Sequence, residues 1–297
     1  MKYIITGSLG NISLPVTENL VKDGHEVTVI SSNPGKKEAI EKLGAKPAIG
    51  SVTDASFLSD VFRNADVAYL MVPSDFSAPD YPKLQREIAD HYVGAIAGSS
   101  ITHVVLLSSI GAHLRQGAGP IDGLGYLEER LLELKDVHTK FLRPSYFFNN
   151  LYSQAGLISH AGIAGSNFGN TEEKLVLVHT GDIAIVASRY LLDLSFTGNS
   201  ITYISSDERH PNEIAELLGK SVDKEGIPWI TFTDEQAQQG MVDGGLSPGF
   251  ADLYVKMGRA IREGKLQEHY WQNRPEVLGT YKLEDFVKAF SLAYHKG

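Results

Sequence analysis

The residues best suited to chemistry stand at the start of the chain. Gly7-Ser8-Leu9-Gly10-Asn11-Ile12-Ser13 follows the apolar run Lys2–Thr6 and leads into a helical stretch. In a strand–turn–helix unit, such glycines let backbone N–H groups come close to a phosphate, because any Cβ would meet its oxygens. The helix N-terminus adds partial positive charge. The third position of this spacing, where Gly or Ala normally packs helix on strand, carries Ser13. A serine there is expected to cost some packing without abolishing binding. A tight turn with no ligand would use the same two glycines; their place between a first strand and a helix favours the phosphate reading.

A second group lies where the next strand, Glu26–Ser31, runs out into Ser31-Ser32-Asn33-Pro34-Gly35-Lys36-Lys37. Dinucleotide sites that prefer NAD place an acid about 20 residues beyond the glycines, on the ribose 2′-hydroxyl. No acid stands here. Hydroxyls, an amide and lysines suit a 2′-phosphate instead, through hydrogen bonds and charge. The expected cofactor is therefore NADP(H), with NAD(H) as the alternative; a solvated turn would account for the same residues without a ligand.

Tyr126-Leu-Glu-Glu-Arg130 sets a phenol and a guanidinium four residues apart, on one helix face. A cation beside a phenol favours the phenolate, but a guanidinium does not release its own proton. Leu124, Leu127, Leu131 and Leu134 form the apolar stripe of this segment, and Tyr126 falls roughly 110° from its centre. No catalytic residue is assigned; Tyr126 is the one candidate proton donor, and its helical phase speaks against it. Ser108 and Ser109 have no base visible beside them, and the ten histidines are scattered. No histidine pair or acid cluster has metal-ligand spacing, so no metal site is expected. Cysteine is absent, which excludes thiolate chemistry.

These residues need a frame to hold them. Strand-like runs at Lys2–Thr6, Glu26–Ser31, Lys46–Ile49, Val67–Met71, Val104–Ser108 and Lys140–Leu142 alternate with helical stretches. Gly24 and Gly44 are placed to stop two of those helices. The alternation predicts an α/β fold, a doubly wound parallel sheet with right-handed crossovers. Residues 1–152 and 181–206 are expected to form a dinucleotide-binding domain, and 153–180 with 207–297 a smaller C-terminal α+β lobe on the substrate side. A formal charge of −9 argues against broad nucleic-acid or anionic-membrane binding. No signal-peptide core and no membrane-length apolar run is present, so a cytoplasmic location is expected.

The chain resembles the NmrA-like branch of the atypical short-chain dehydrogenase/reductase superfamily, which includes quinone-oxidoreductase-like proteins. The resemblance rests on "ITGSLGNIS", "GHEVTVISSNPGK", "LGAKPAIGSVTDASFL", "ADVAYLMVPS", "VVLLSSIGA", "LRPSYFFNNL" and "GDIAIVASRYL", in order over residues 1 to about 195. "HPNEIAELLGKSV" and "LEDFVKAF" fit more loosely. It implies that Gly7, Ser8, Leu9, Gly10, Asn11 and Ile12 line the pyrophosphate and adjoining ribose. Ser31, Ser32, Asn33 and Lys36 would meet the adenosine ribose or its phosphate. Ser51, beside Val52, stands where the family has an adenine-contacting Asp. Val72, Pro73 and Ser74 would lie along the ribose, Ser108 and Ser109 beside the nicotinamide ribose, and Ser145, Tyr146 and Phe147 against the nicotinamide. Leu124 occupies the position of the family's lysine, where the family has one.

The implied activity is hydride transfer from NAD(P)H to a small acceptor, quinone-like or carbonyl. Quinone reduction asks chiefly for positioning, whereas an alkoxide product asks for a proton donor. Aromatic residues at Tyr146, Phe147, Phe148, Tyr254 and Trp271 suit an aromatic substrate. The alternative is a non-catalytic NADP(H) sensor that changes the binding of a protein partner.

Overall fold

The computed structural model describes residues 1–169 and 173–296. Its first half runs β1 (Lys2–Ile5), α1 (Ser13–Lys22), β2 (Glu26–Ser31), α2 (Lys37–Lys42), β3 (Lys46–Ile49), α3 (Ala55–Phe62), β4 (Val67–Leu70), α4 (Tyr81–Ala97), β5 (His103–Leu107), α5 (Asp122–Leu131) and β6 (His138–Pro144). There follow β7 (Tyr146–Phe147), α6 (Gln154–Ala161), β8 (Ala164–Ser166), β9 (Leu175–Val178), α7 (Thr180–Asp193) and β10 (Asn199–Ile204). The chain continues through β11 (Asp207–Arg209), α8 (Pro211–Lys220), β12 (Trp229–Thr231), α9 (Asp234–Asp243), α10 (Pro248–Arg262), α11 (Glu268–Gln272) and α12 (Leu283–Tyr294).

Seven strands form one sheet in the order β10-β6-β5-β4-β1-β2-β3. Tyr3 lies in parallel register with Val27 on one side and Val67 on the other, and Val105 with Tyr69 and Lys140. This is the doubly wound sheet that the alternation predicts. The expected strands are all present, with ends shifted by a residue at β1, β4 and β5. β6 is longer than its apolar run Lys140–Leu142, because ladder bonds to β5 on one side and β10 on the other carry polar His138 and Thr139 into the strand.

The chain divides into two compact units. The first comprises residues 1–115, 121–143 and 183–202. One face of its sheet, through Ile4, Ala68, Leu70, Val104 and Leu106, meets Leu58, Phe62, Ile88, Tyr92, Leu127 and Leu131 from α3, α4 and α5. Each such side chain contributes about 1.5–3 kcal/mol on burial. The other face is covered by α1 and α7: Tyr3 Oη donates to the Leu191 carbonyl at 2.8 Å, and Asn19 Nδ2 to Ser188 Oγ at 3.0 Å. Strand order reverses beside β1, which has β2 on one side and β4 on the other. In open α/β sheets, ligands bind outside the carboxyl ends of the strands at such a point.

The second unit comprises residues 116–120, 144–182 and 203–297. Thus 144–152, expected with the dinucleotide-binding domain, pack in this unit. It holds a three-stranded sheet, β11-β9-β7, and the parallel pair β8 and β12. Asp182, buried, gathers donors from distant segments. Its Oδ1 accepts from Thr280 N–H (3.0 Å) and Oγ1 (3.1 Å), and its Oδ2 from Ser206 Oγ (2.6 Å) and Tyr281 N–H (3.2 Å).

Two outcomes follow from these contacts. Asp182→Asn turns an amide toward donors and should destabilise the fold by about 2–3 kcal/mol, read by urea unfolding. At the amino ends of β5 and β6, His103 and His138 rings lie 5.0 Å apart. Burial, then the His138 charge, holds the His103 pKa below its ordinary value. The unfolded chain therefore takes up this proton first as pH drops below about 6.5, so the contribution is full above that pH and lost as pH falls through the folded-state value. The urea midpoint should decline over this acid range, and His103→Gln should make the decline shallower.

Candidate functional site

The loop after β1 is built tightly against the sheet. Thr6 N–H donates to the Tyr69 carbonyl at 3.1 Å, and Thr6 Oγ1 accepts from Met71 N–H at 2.7 Å, which pins the loop's start to the end of β4. Gly7, at φ +86°, then reverses the chain. A Cβ on Gly7 would lie 2.7 Å from Ser13 Oγ and 2.8 Å from Met71 Cγ, so glycine is required both for its φ and for space. Gly10 N–H donates to the Gly7 carbonyl at 3.2 Å, and Leu14 N–H to the Gly10 carbonyl at 2.9 Å. Helix α1 has no side-chain cap and no acid in its first turn. Leu14 N–H is taken by Gly10 and Pro15 has none, so what the helix start offers an anion is chiefly its uncompensated dipole. Leu9 is half-buried, Gly10 and Asn11 are exposed, and Ile12 is buried.

Ser13 corrects one expectation. It is buried, and its hydroxyl donates to the Thr6 carbonyl at 2.9 Å. Serine at this position ties helix to strand instead of loosening them.

The neighbouring strand ends complete the groove. Ser31 is buried at the tip of β2, while Ser32, Asn33 and Lys36 are exposed. Asn33 Oδ1 accepts from Gly35 N–H at 2.9 Å and so caps the turn at Pro34–Lys36. Beyond β3, Ser51 and Val52 are half-buried, and Ser51 Oγ lies 2.7 Å from Thr53 Oγ1. The acid in this stretch, Asp54, is taken up capping α3, accepting from Ser56 and Phe57 N–H at 3.0 Å each. At the end of β4, Val72 is buried, Pro73 half-buried and Ser74 exposed. These segments follow the carboxyl ends of four adjacent strands, so the sheet brings them together.

At the end of β5 the structure shows what the sequence left unread. Ser108 is buried, and its hydroxyl donates to Glu128 Oε1 at 2.6 Å. Arg143 holds the same carboxylate through Nε at 2.9 Å and Nη2 at 2.5 Å, and Arg115 Nη1 lies 3.5 Å away. A buried ion pair is tolerated when further hydrogen bonds satisfy it, and the Ser108 hydroxyl supplies one. Ser109, next to it, is half-buried. The only sequence signals were a glutamate in family register and the Arg in "LRPS"; neither named the other as partner.

Tyr126 stays on the flank. Its hydroxyl donates to Asp90 Oδ1 at 3.0 Å, and Arg130 Nε binds the same oxygen at 3.0 Å. Partial burial, then the Asp90 bond and charge, raise the phenol's pKa, which makes it a weaker acid. Leu127 and Leu131 are fully buried, and Leu124 and Leu134 are packed on the same core.

Ser145, Tyr146 and Phe147 belong to the second unit. Ser145 N–H and Oγ donate to the Ile204 carbonyl at 3.0 and 3.2 Å. Tyr146 pairs with Leu177 in β9 and meets the Phe168 ring edge-on at 5.7 Å; burial raises its phenol pKa. Phe148 is fully buried against Phe286. Tyr270 is buried too, its hydroxyl bonded to Glu208 and Ser205, while Trp271 is 43% exposed.

Residues 7–146 match the model of an NAD(P)H-binding family. The glycine cradle, the uncapped helix and the lack of acids around the β2 tip fit that group. The chain is similar to the uncharacterized oxidoreductase YesF of Bacillus subtilis, 24% identical over 88% of this chain and 85% of that one. Its fold is similar to that of an Escherichia coli NADPH-dependent quinone oxidoreductase solved with NADPH, with a TM-score of 0.82 and 18% identity over 97% of this chain and 99% of the other. It also resembles a Citrobacter triphenylmethane reductase solved with NADP(H), with a TM-score of 0.78 and 17% identity over the same shares. Among the described residues, no helix is long and apolar enough to cross a membrane, and no group of three or more His, Asp or Glu residues could hold a metal ion.

Gly7→Ala should raise the dissociation constant for reduced cofactor at least tenfold in a fluorescence titration. Combining it with Ser13→Gly, which removes the nearest obstacle to the new Cβ, should recover part of the loss.

Proposed function

We propose that this chain is an NADPH-dependent reductase that passes hydride to a small quinone-like acceptor, with a carbonyl acceptor as the alternative. The observation that carries the cofactor choice is the tip of β2, where Ser32, Asn33 and Lys36 are exposed and no carboxylate stands between residues 31 and 37. A 2′-phosphate gains charge-assisted hydrogen bonds from such a set, whereas a ribose 2′-hydroxyl finds no acid to accept its proton. The loop Gly7–Ile12 would take the pyrophosphate, with Leu9, Asn11 and Ile12 supplying the N–H groups, since Ser8 N–H is bonded to the Ile30 carbonyl and Gly10 N–H to that of Gly7. Ser51 and Val52 would border the adenine, and Val72, Pro73 and Ser74 the ribose.

The reduced nicotinamide, when bound, supplies the hydride. What the protein supplies is position. The Tyr126 hydroxyl already donates to Asp90, and Ser108 already donates to Glu128. With both committed, an acceptor whose product oxygens take their protons from water is the best match. Quinones meet that condition and simple carbonyls meet it poorly. The reductases solved with NADPH and NADP(H) support this reading, as does the resemblance to NmrA-like proteins. One observation favours a non-catalytic sensor instead: Leu124 stands where that family's lysine would.

Steady-state NADPH oxidation across a panel of quinones separates the two. The reductase reading expects turnover above background, tighter NADPH than NADH binding, and Tyr126→Phe within about twofold of wild type. Lys36→Ala should weaken NADPH about tenfold and leave NADH unchanged, the effect of one charge-assisted bond. Tight binding with no turnover on any quinone or carbonyl would leave the sensor.

A further inference from the structure

Ser8 adopts φ +55°, a left-handed conformation that disfavours any residue with a Cβ. Two bonds hold it there. Its N–H donates to the Ile30 carbonyl at 3.1 Å, and its hydroxyl donates to Ser31 Oγ at 2.9 Å. Ser31 is only 3% exposed, and its Oγ also accepts from Asn33 N–H at 3.2 Å. A hydroxyl oxygen has two acceptor sites, and both are filled from within the protein. Its proton lies toward the Asn33 carbonyl at 3.4 Å. Ser31 therefore has no hydrogen-bonding capacity to offer a ligand, contrary to the role its position suggests. Its backbone carbonyl in turn accepts from Gly50 N–H at 3.0 Å, at the end of β3. A single buried oxygen thus joins the loop after β1 to the turn after β2.

We infer that Ser8 and Ser31 are positioning residues that fix the spacing between the phosphate loop and the Ser32–Lys36 turn, and thereby set the preference for NADPH over NADH. The inference rests on the proposed reading that this turn takes the 2′-phosphate. NADPH is anchored at two anionic points, its pyrophosphate and its 2′-phosphate, separated by a rigid adenosine ribose. Both anchors are satisfied together only if loop and turn keep one distance. NADH lacks the second of these anionic anchors and depends less on that distance. The two hydroxyls of this clasp act through the spacing of other groups, since each is already bonded within the protein.

A double-mutant cycle tests it, with Ser8→Gly, Ser31→Ala and the pair, each titrated calorimetrically with NADPH and with NADH. Glycine keeps the positive φ without strain, so Ser8→Gly removes the hydroxyl and leaves the backbone path. Each single variant should raise the NADPH dissociation constant about fivefold more than it raises that of NADH, a ratio worth one neutral hydrogen bond. The double variant should be no worse than the worse single. Ser31→Thr, which keeps a hydroxyl, should retain the wild-type selectivity. A wild-type NADPH preference that survives in both singles, or losses that multiply in the double, overturns the clasp while the cofactor reading stands. A wild type with no preference for NADPH overturns the reading of the turn, and the clasp with it.

Discussion

The structure depends on how closely the chain can turn at the end of β1. Between Thr6 and Ser13 the backbone must leave the sheet, reverse and enter a helix that has no side-chain cap. That path leaves no room for a side chain at Gly7, where Ser13 Oγ and Met71 Cγ already fill the space. The bonds that seal it, from Ser13 Oγ to the Thr6 carbonyl and from Thr6 to the end of β4, are short and local. They also place the helix terminus beside the point where strand order reverses. Packing thus sets the loop's path: Ser8, Gly10 and Leu14 N–H are all bonded within the protein.

Much of this was legible in the sequence because it follows from periodicity and from glycine. Alternating apolar runs foretold the parallel sheet, and the helical phase of Leu127 and Leu131 put Tyr126 on a flank, where it meets Asp90. The missing acid after β2 was equally plain. What sequence reasoning lacked was partner identity. Ser31 and Ser108 looked like polar residues near a ligand and Ser13 like a packing fault, yet each spends its hydroxyl inside the protein. A serine's role depends on which group lies within about 3 Å, and spacing along the chain does not encode that. The pairing of Glu128 with Arg143 was hidden for the same reason: two charges 15 residues apart show no periodic relation until β6 lies beside β5.

Charge placement reconciles an acidic chain with an anionic ligand. The formal charge is −9, but acids near the strand tips are already engaged. Asp54 caps α3, Asp80 caps α4 by accepting from Lys83 N–H at 3.0 Å, and Glu128 is neutralised by arginine. A carboxylate facing helix N–H groups is partly compensated by the dipole it caps. The acids nearest the strand tips thus have partners within the protein, in helix caps and an arginine pair.

Asp182 carries a different lesson, about assembly. Its carboxylate draws on Ser206 and on Thr280 and Tyr281, the last two almost a hundred positions further along. A buried charge with half its donors missing is worse than none, so this part of the molecule has no comfortable intermediate. Closing so wide a loop is entropically slow. The segment around Thr280 is thus tied to the head of α7 by one carboxylate, and a chain ending before it would lose three of the four donors named for Asp182.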